Sequence, residues 1–211
     1  MAWDVEGTKR RIYEAALSEF AEHGPDGTTV DRIAKRAQIN RERVYNYYGD
    51  KSKLFSAVIR SELDKIAAAV PLVITCAADV GEFAGRTFDY QRAHPDLARL
   101  VLWEGLSDTG SVSDEIVRTE LYAGKAKAVA AAQQAALIDD TLDPAHLIFL
   151  VIALSSYWSA APQIARMLSG SDVRDSAEAA HRRAAVVHAA RQIAAPRRAG
   201  TRHPDGTTTT G

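Results

Sequence analysis

Apolar residues recur at helical spacing along nearly the whole chain, and sustained period-two alternation is absent. Ile12, Tyr13, Ala16, Leu17 and Phe20 form one stripe, predicting a helix over about residues 8–23. Gly24-Pro25-Asp26-Gly27 then reads as a breaker. Val30, Ile33, Ala34 and Ala37 form a second, shorter stripe, which Thr28 or Thr29 can cap. Asn40 suits the cap of a third helix, whose inward positions are Val44 and Tyr48. Gly49-Asp50 ends that helix, and a fourth runs over about 51–69, with Leu54, Phe55, Val58, Ile59, Leu63 and Ile66 in register and Glu62 as the polar exception.

Further helices are expected at about 77–93, 95–107, 112–137, 143–169 and 174–194, with Pro95 and Pro144 at first-turn positions and Pro162 placed to kink or split its segment. The class is therefore all-α. The pattern divides into a three-helix unit over 1–50, a larger helical unit over 51–195 and a tail over 196–211. That tail is poor in apolar residues, rich in Gly, Thr and Arg, and expected to be disordered.

The single cysteine, Cys76, excludes an internal disulfide framework and fits a reducing cytoplasm. No signal-peptide pattern opens the chain, and the longest strongly apolar run, 147–154, is too short to span a bilayer. A net charge of −1 does not by itself suggest a nucleic-acid partner, but the distribution does. Over 28–51, six basic residues (Arg32, Lys35, Arg36, Arg41, Arg43, Lys51) stand against three acidic ones (Asp31, Glu42, Asp50). Residues 52–178 hold eleven basic and seventeen acidic side chains, so an acidic body carries a basic tip.

Two short helices joined by a tight turn form a helix-turn-helix, whose second helix enters the DNA major groove. The outward positions of that second helix carry Arg41, Arg43, Tyr45, Asn46 and Tyr47, side chains suited to phosphates and base edges. Arg32 on the first helix, the cap Asn40 and the hydroxyls of Thr28 and Thr29 are candidate backbone contacts. Each has a plainer reading as a cap or a solvated charge.

Thr28-Thr29-Val30, Ile33-Ala34 and Val44-Tyr45-Asn46-Tyr47-Tyr48-Gly49-Asp50-Lys51 followed by Leu54-Phe55 resemble the tetracycline-repressor-like (TetR) family of bacterial regulators over about residues 8–60. The segment 94–104 (HPDLARLVLWE) is similar to stretches in some members' ligand domains. The resemblance implies that Lys51 binds a phosphate together with the N-terminus of helix 4, and that the C-terminal helices bind a small-molecule effector and form a homodimer on a palindromic operator. Gln38 stands where the family usually has Gly, which predicts an unusual backbone angle there. Glu42 replaces a small residue on the DNA-facing helix.

For the effector, the large aromatics and stray polar groups of the middle helices are candidates: Phe88, Trp103, Glu104, Tyr122, Tyr157 and Trp158. The apolar segment 147–161, with the Ala-rich last helix, is the candidate dimer interface. Arg182, Arg183, Arg191, Arg197, Arg198 and Arg202 make a second basic group, read as a solvated terminal helix and tail. No catalytic constellation, cofactor motif or metal-ligand pattern is present, and His181 and His188 have no Cys or acidic partner in metal-ligand pattern. The competing readings are a helical small-molecule binder or enzyme that happens to hold a helix-turn-helix, and a regulator controlled by a protein partner.

Overall fold

Side-chain caps set most of the helix starts. In the computed structural model, which describes residues 4–107, 112, 115–170 and 175–196, Asp4 accepts from the Gly7 amide at 2.7 Å and opens α1 (Val5–Gly27). Thr29 caps α2 (Val30–Ala37), Asn40 caps α3 (Arg41–Tyr48) and Asp50 caps α4 (Lys51–Ala69), each oxygen accepting one of the amides left free at a helix start. The remaining helices are α5 (Ala77–Ala93), α6 (Pro95–Leu106), α7 (Glu115–Gln134), α8 (Pro144–Ala160), α9 (Pro162–Ser169) and α10 (Ser176–Ala194). No strand occurs among the described residues. The expectation of a disordered tail falls almost wholly on 197–211, outside them.

Two expected helices differ in detail. The 143–169 segment divides at Ala161, where Pro162 removes a backbone donor, and α8 and α9 meet at a bend of 82°. The last expected turns of 112–137 are lost because Ala136 takes a left-handed φ of 54° just after α7. The first helix, α1, reaches Gly27 only across a break. Gly24 sits there at φ 71° and ψ 171°. The helix proper therefore ends where the Gly-Pro signal lies, and one detached turn follows. No single described helix is long and apolar enough to cross a membrane.

Packing produces two cores. The first joins Ile12, Ala16 and Phe20 of α1 to Ile33 of α2, Val44 of α3 and Leu54, Val58 and Ile59 of α4, with Phe20 and Phe55 edge to face at 5.1 Å. Leu100 of α6 belongs to this core as well. The second core is built from α5, α7, α8 and α10 around Phe83, Phe88, Val129, Leu147, Val151 and Val186. Ile66 at the far end of α4 packs against it. α4 therefore joins the two units, with Leu54, Val58 and Ile59 in the first core and Ile66 against the second. In the second core α5 and α10 approach closely at Gly81, where an added Cβ would lie 2.8 Å from the Val187 carbonyl oxygen.

Gly24 carries a testable consequence. A Cβ there would sit 2.7 Å from Trp103 Cδ2. The backbone angle at Gly24 is also one that L side chains avoid. Gly24→Ala is expected to destabilise the chain by about 2 kcal/mol, read as a lower urea midpoint. An unchanged midpoint would mean that the break at α1 is not constrained.

Candidate nucleic-acid interface and the adjoining cavity

The turn between α2 and α3 is closed by the backbone. Gln38 adopts φ 53° and ψ 48°, the left-handed angle implied by its standing where Gly is usual. The Ile39 amide reaches back to the Ala34 carbonyl at 3.0 Å, which closes the end of α2. Val44 points into the first core, while the half-buried Tyr48 donates its hydroxyl to the Lys9 carbonyl at 3.4 Å. This register leaves Arg41, Glu42, Tyr45 and Asn46 exposed on one face of α3. Tyr45 keeps 39% of its surface in solvent. The Arg41 guanidinium lies 5.5 Å from its ring centroid, within reach of a cation–π contact. Arg41 also pairs with Asp31 of α2 at 3.3 Å. Arg43 is half-buried, and Tyr47 packs against the first core rather than standing free.

Several expected contact residues have other partners. Thr28 is fully buried, and its hydroxyl donates to the Glu19 carbonyl at 3.0 Å, so it cannot meet a phosphate. Thr29 and Asn40 use their side-chain oxygens as caps. Arg32 donates to Glu19 at 2.9 Å, and Arg36 reaches the same carboxylate at 3.2 Å. Glu19 is buried, and the two guanidinium groups compensate its charge there. Arg36 also pairs with Glu22, and that hydrogen bond holds the Glu22 carboxyl below the usual carboxylate range. Part of the positive excess counted along the sequence is thus neutralised within the head of the molecule.

Lys51 has partners within the chain. Its ammonium donates to the Pro25 carbonyl at 2.6 Å and the Thr28 carbonyl at 3.1 Å. These carbonyls belong to the turn that follows the break at Gly24, and Lys51 supplies donors for them. At most one of its three N–H groups is left for a phosphate. α6 performs a similar task one turn earlier: Arg99 donates to the Ala21 carbonyl at 2.6 Å and to the Glu22 carbonyl at 3.4 Å. Trp103 Nε1 donates to Ala21 at 3.4 Å while its ring covers Gly24. On the other side of α1, Tyr13 donates to the buried Glu62 of α4, which Lys65 also binds at 2.6 Å. Burial first, and then the Glu62 hydrogen bond, push the Tyr13 phenol above its ordinary value.

Behind this junction lies a cavity of about 460 Å³, within the range of small-molecule sites. Its wall is mostly apolar and comes from α4 (Leu63, Ile66), α5 (Phe83), α6 (Leu97, Val101) and α8 (Ile152), with α7 closing the remaining side. Tyr122 and Tyr157 line it, as the sequence suggested. Phe88 does not, since it is buried in the second core. Trp103 is taken up by the end of α1, Glu104 by Arg118 at 2.8 Å, and Trp158 lies beneath the Arg182 guanidinium at 5.7 Å. Sequence reasoning missed Thr87, Gln91 and Ser156, polar groups on the wall, and Lys125, whose charge burial disfavours and whose pKa is accordingly lowered. The sequence signal available was the Phe83, Thr87, Gln91 stripe, with polar residues at i+4 and i+8 on a buried face. In the second basic group, Arg182 pairs with Glu178 and Arg183 with Asp89 and Glu82, so both are internal ties; Arg191 is exposed, and Arg197, Arg198 and Arg202 lie outside the described residues.

A helix-turn-helix head on an all-helical, hollow body defines a class of DNA-binding regulator. Residues 12–58 match the family described as bacterial regulatory proteins, tetR family, and residues 79–192 match the tetracyclin repressor-like C-terminal domain. The HTH-type transcriptional repressor SCO4008 of Streptomyces coelicolor is 39% identical over 189 residues, covering 86% of this chain and 97% of that protein. The HTH-type transcriptional regulator RutR of Escherichia coli is 27% identical over 184 residues, 81% of this chain and 82% of its own length. The crystal structure of the transcriptional regulator SCO4942 from Streptomyces coelicolor superposes with a TM-score of 0.75 at 34% identity, covering 89% of this chain and 98% of that one. The chain belongs to the TetR family and is a DNA-binding transcriptional regulator.

The role found for Lys51 separates two outcomes. Lys51→Met leaves two linker carbonyls without donors and is expected to lower folding stability by about 2 kcal/mol. A thermal melt checks this. Unchanged stability with a smaller salt slope of DNA binding would instead make Lys51 mainly a phosphate ligand.

Proposed function

We propose that the chain represses transcription by binding a palindromic operator as a homodimer, and that a small molecule filling the cavity releases it. The observation that carries this reading is that α4 and α6 serve both sites. They supply Leu63, Ile66, Leu97 and Val101 to the cavity wall, and Lys51, Glu62, Arg99 and Trp103 to the hold on α1. A ligand that fits only one arrangement of these helices raises the population of that arrangement. The hydrogen bonds on α1 then carry the shift to α2 and α3, and the spacing of the two recognition helices departs from that of the half-sites. By linkage, operator DNA weakens the ligand by the same factor.

On the DNA side, Arg41, Tyr45 and Asn46 enter the major groove, with Arg43 and Tyr47 beside them. Thr29 and the amide of Asn40 stand at the helix starts, near the phosphates. Asp31 draws Arg41 away from the groove in the free chain, so docking exchanges one weak exposed pair for a phosphate or guanine contact. One eight-residue recognition helix reads few base pairs, and a two-fold dimer doubles the reading.

The surface supports such a dimer. α8 leaves Leu150 exposed outside the cavity wall, and α9 adds Met167 and Leu168. Apolar side chains gathered in this way favour a partner. The site of action is the cytoplasm, where operator DNA is found.

Tyr45→Ala and Arg41→Ala are each expected to weaken operator binding about tenfold or more, by fluorescence anisotropy, with helicity unchanged by circular dichroism. Equal affinity in both variants would remove the DNA-face assignment. Leu150→Glu is expected to convert the dimer to monomers in sedimentation at micromolar concentration, since it places a charge in the apolar face. A dimer that survives the substitution lies elsewhere on the surface.

A further inference from the structure

We propose that the cavity is built for an organic carboxylate with an apolar body and a hydroxyl at its far end. This deepens the reading of the cavity as the effector site and rests on it. Three observations specify the ligand.

The first is charge. Among the described residues lining the cavity, Lys125 is the only one with a charged side chain. Its ammonium lies 5.8 Å from the Phe83 ring centroid, and no carboxylate pairs with it among the described residues. Burial works against this charge, and beyond the Phe83 ring no anionic group on the described wall offsets it. An anionic ligand would restore the missing counter-charge, whereas a cationic one would meet repulsion.

The second is an unsatisfied polar group. Gln91 is 7% exposed and lines the same cavity; its Nε2 reaches Ser156 Oγ at 3.3 Å, while its Oε1 is buried with no hydrogen-bond partner. Thr87 cannot satisfy it, since that hydroxyl already donates to the Phe83 carbonyl at 2.8 Å. A buried amide oxygen without a donor is costly. A ligand hydroxyl supplies the donor, and it also suits the amide in its flipped orientation, because a hydroxyl both donates and accepts.

The third is spacing. Phe83, Thr87 and Gln91 lie on one stripe of α5. The Lys125 end of the stripe and the Gln91 end are separated by about two helical turns, which at the usual rise per residue is roughly 12 Å along the axis. Apart from Thr87, Ser156 and the two tyrosine hydroxyls, the rest of the wall is apolar, with Ile66, Val70, Leu97, Ala98 and Ile152. The acid and the hydroxyl therefore sit at opposite ends of an apolar body, rather than on adjacent atoms.

The test is calorimetric titration of the full chain with decanoate, ω-hydroxydecanoate, decanol and decyltrimethylammonium, below their micelle-forming concentrations. Decanoate is expected to bind about tenfold or more tightly than decanol, and the cation weakest of all. The ω-hydroxyl is expected to tighten binding further. Lys125→Met should erase the preference for decanoate over decanol, Lys125→Arg should keep it, and Gln91→Leu should remove the hydroxyl gain alone. Should Lys125→Met fail to melt cooperatively, Lys125→Gln replaces it. Equal binding of acid and alcohol, a preference that survives in Lys125→Met, or no binding of any of the four overturns the proposal. The control reading is judged separately, by adding the same compounds to the chain bound to operator DNA. Acids that bind with the expected pattern yet never release DNA would support the ligand class and overturn effector control.

Discussion

The end of α1 is the constraint on which the rest of the structure depends. Gly24 breaks the helix, and the carbonyls of Ala21, Glu22, Pro25 and Thr28 accept hydrogen bonds from side chains of other helices. Unpaired buried carbonyls are costly, so side chains from other helices must meet them. Arg99 and Trp103 come from α6, and Lys51 comes from α4. A local interruption in one helix thereby becomes the joint that holds the DNA-binding head to the body.

The charges follow the same rule. Glu19 is buried beneath α2 and takes two arginines, so α1 and α2 are fixed to each other by ionic contacts as well as by Ile33 and Phe20. Removing either arginine leaves a buried carboxylate short of compensation, a larger penalty than the loss of an exposed pair. These contacts tie α1 and α2 together beneath the exposed side chains of α3. The body differs in kind. It encloses an apolar space, and its few polar wall groups are incompletely paired, a condition suited to a part of the molecule that changes when filled.

Much of the fold was legible because helical periodicity and caps are local. The stripes through Ile12, Val30 and Leu54 and the caps at Thr29, Asn40 and Asp50 follow from neighbours within a few positions, whereas the left-handed Gln38 was legible only through the family resemblance. The split at Pro162 follows from proline's missing donor. The site was less legible because partners lie far apart in sequence. Thr28 and Lys51 sit where a DNA contact is expected, yet the carbonyls they face, Glu19, Pro25 and Thr28 itself, are visible only after α1 breaks and folds back. Trp103 and Glu104 looked alike as pocket candidates, but one covers Gly24 and the other is neutralised by Arg118. Lys125 stands in an Ala-rich helix with no local sign that its outlook is a cavity. Register tells which side a residue faces, and only tertiary packing tells what it meets.

The central claim is sequence-specific operator binding by a two-fold dimer. The most direct measurement is selection of binding sites from a random DNA pool with the full chain at physiological salt. The account predicts enrichment of one palindromic motif whose half-sites lie about one or two helical turns apart. It also predicts that the enriched DNA outcompetes random sequence by about a thousandfold or more. Recovery of unrelated sequences, bound weakly and lost steeply with added salt, would contradict it.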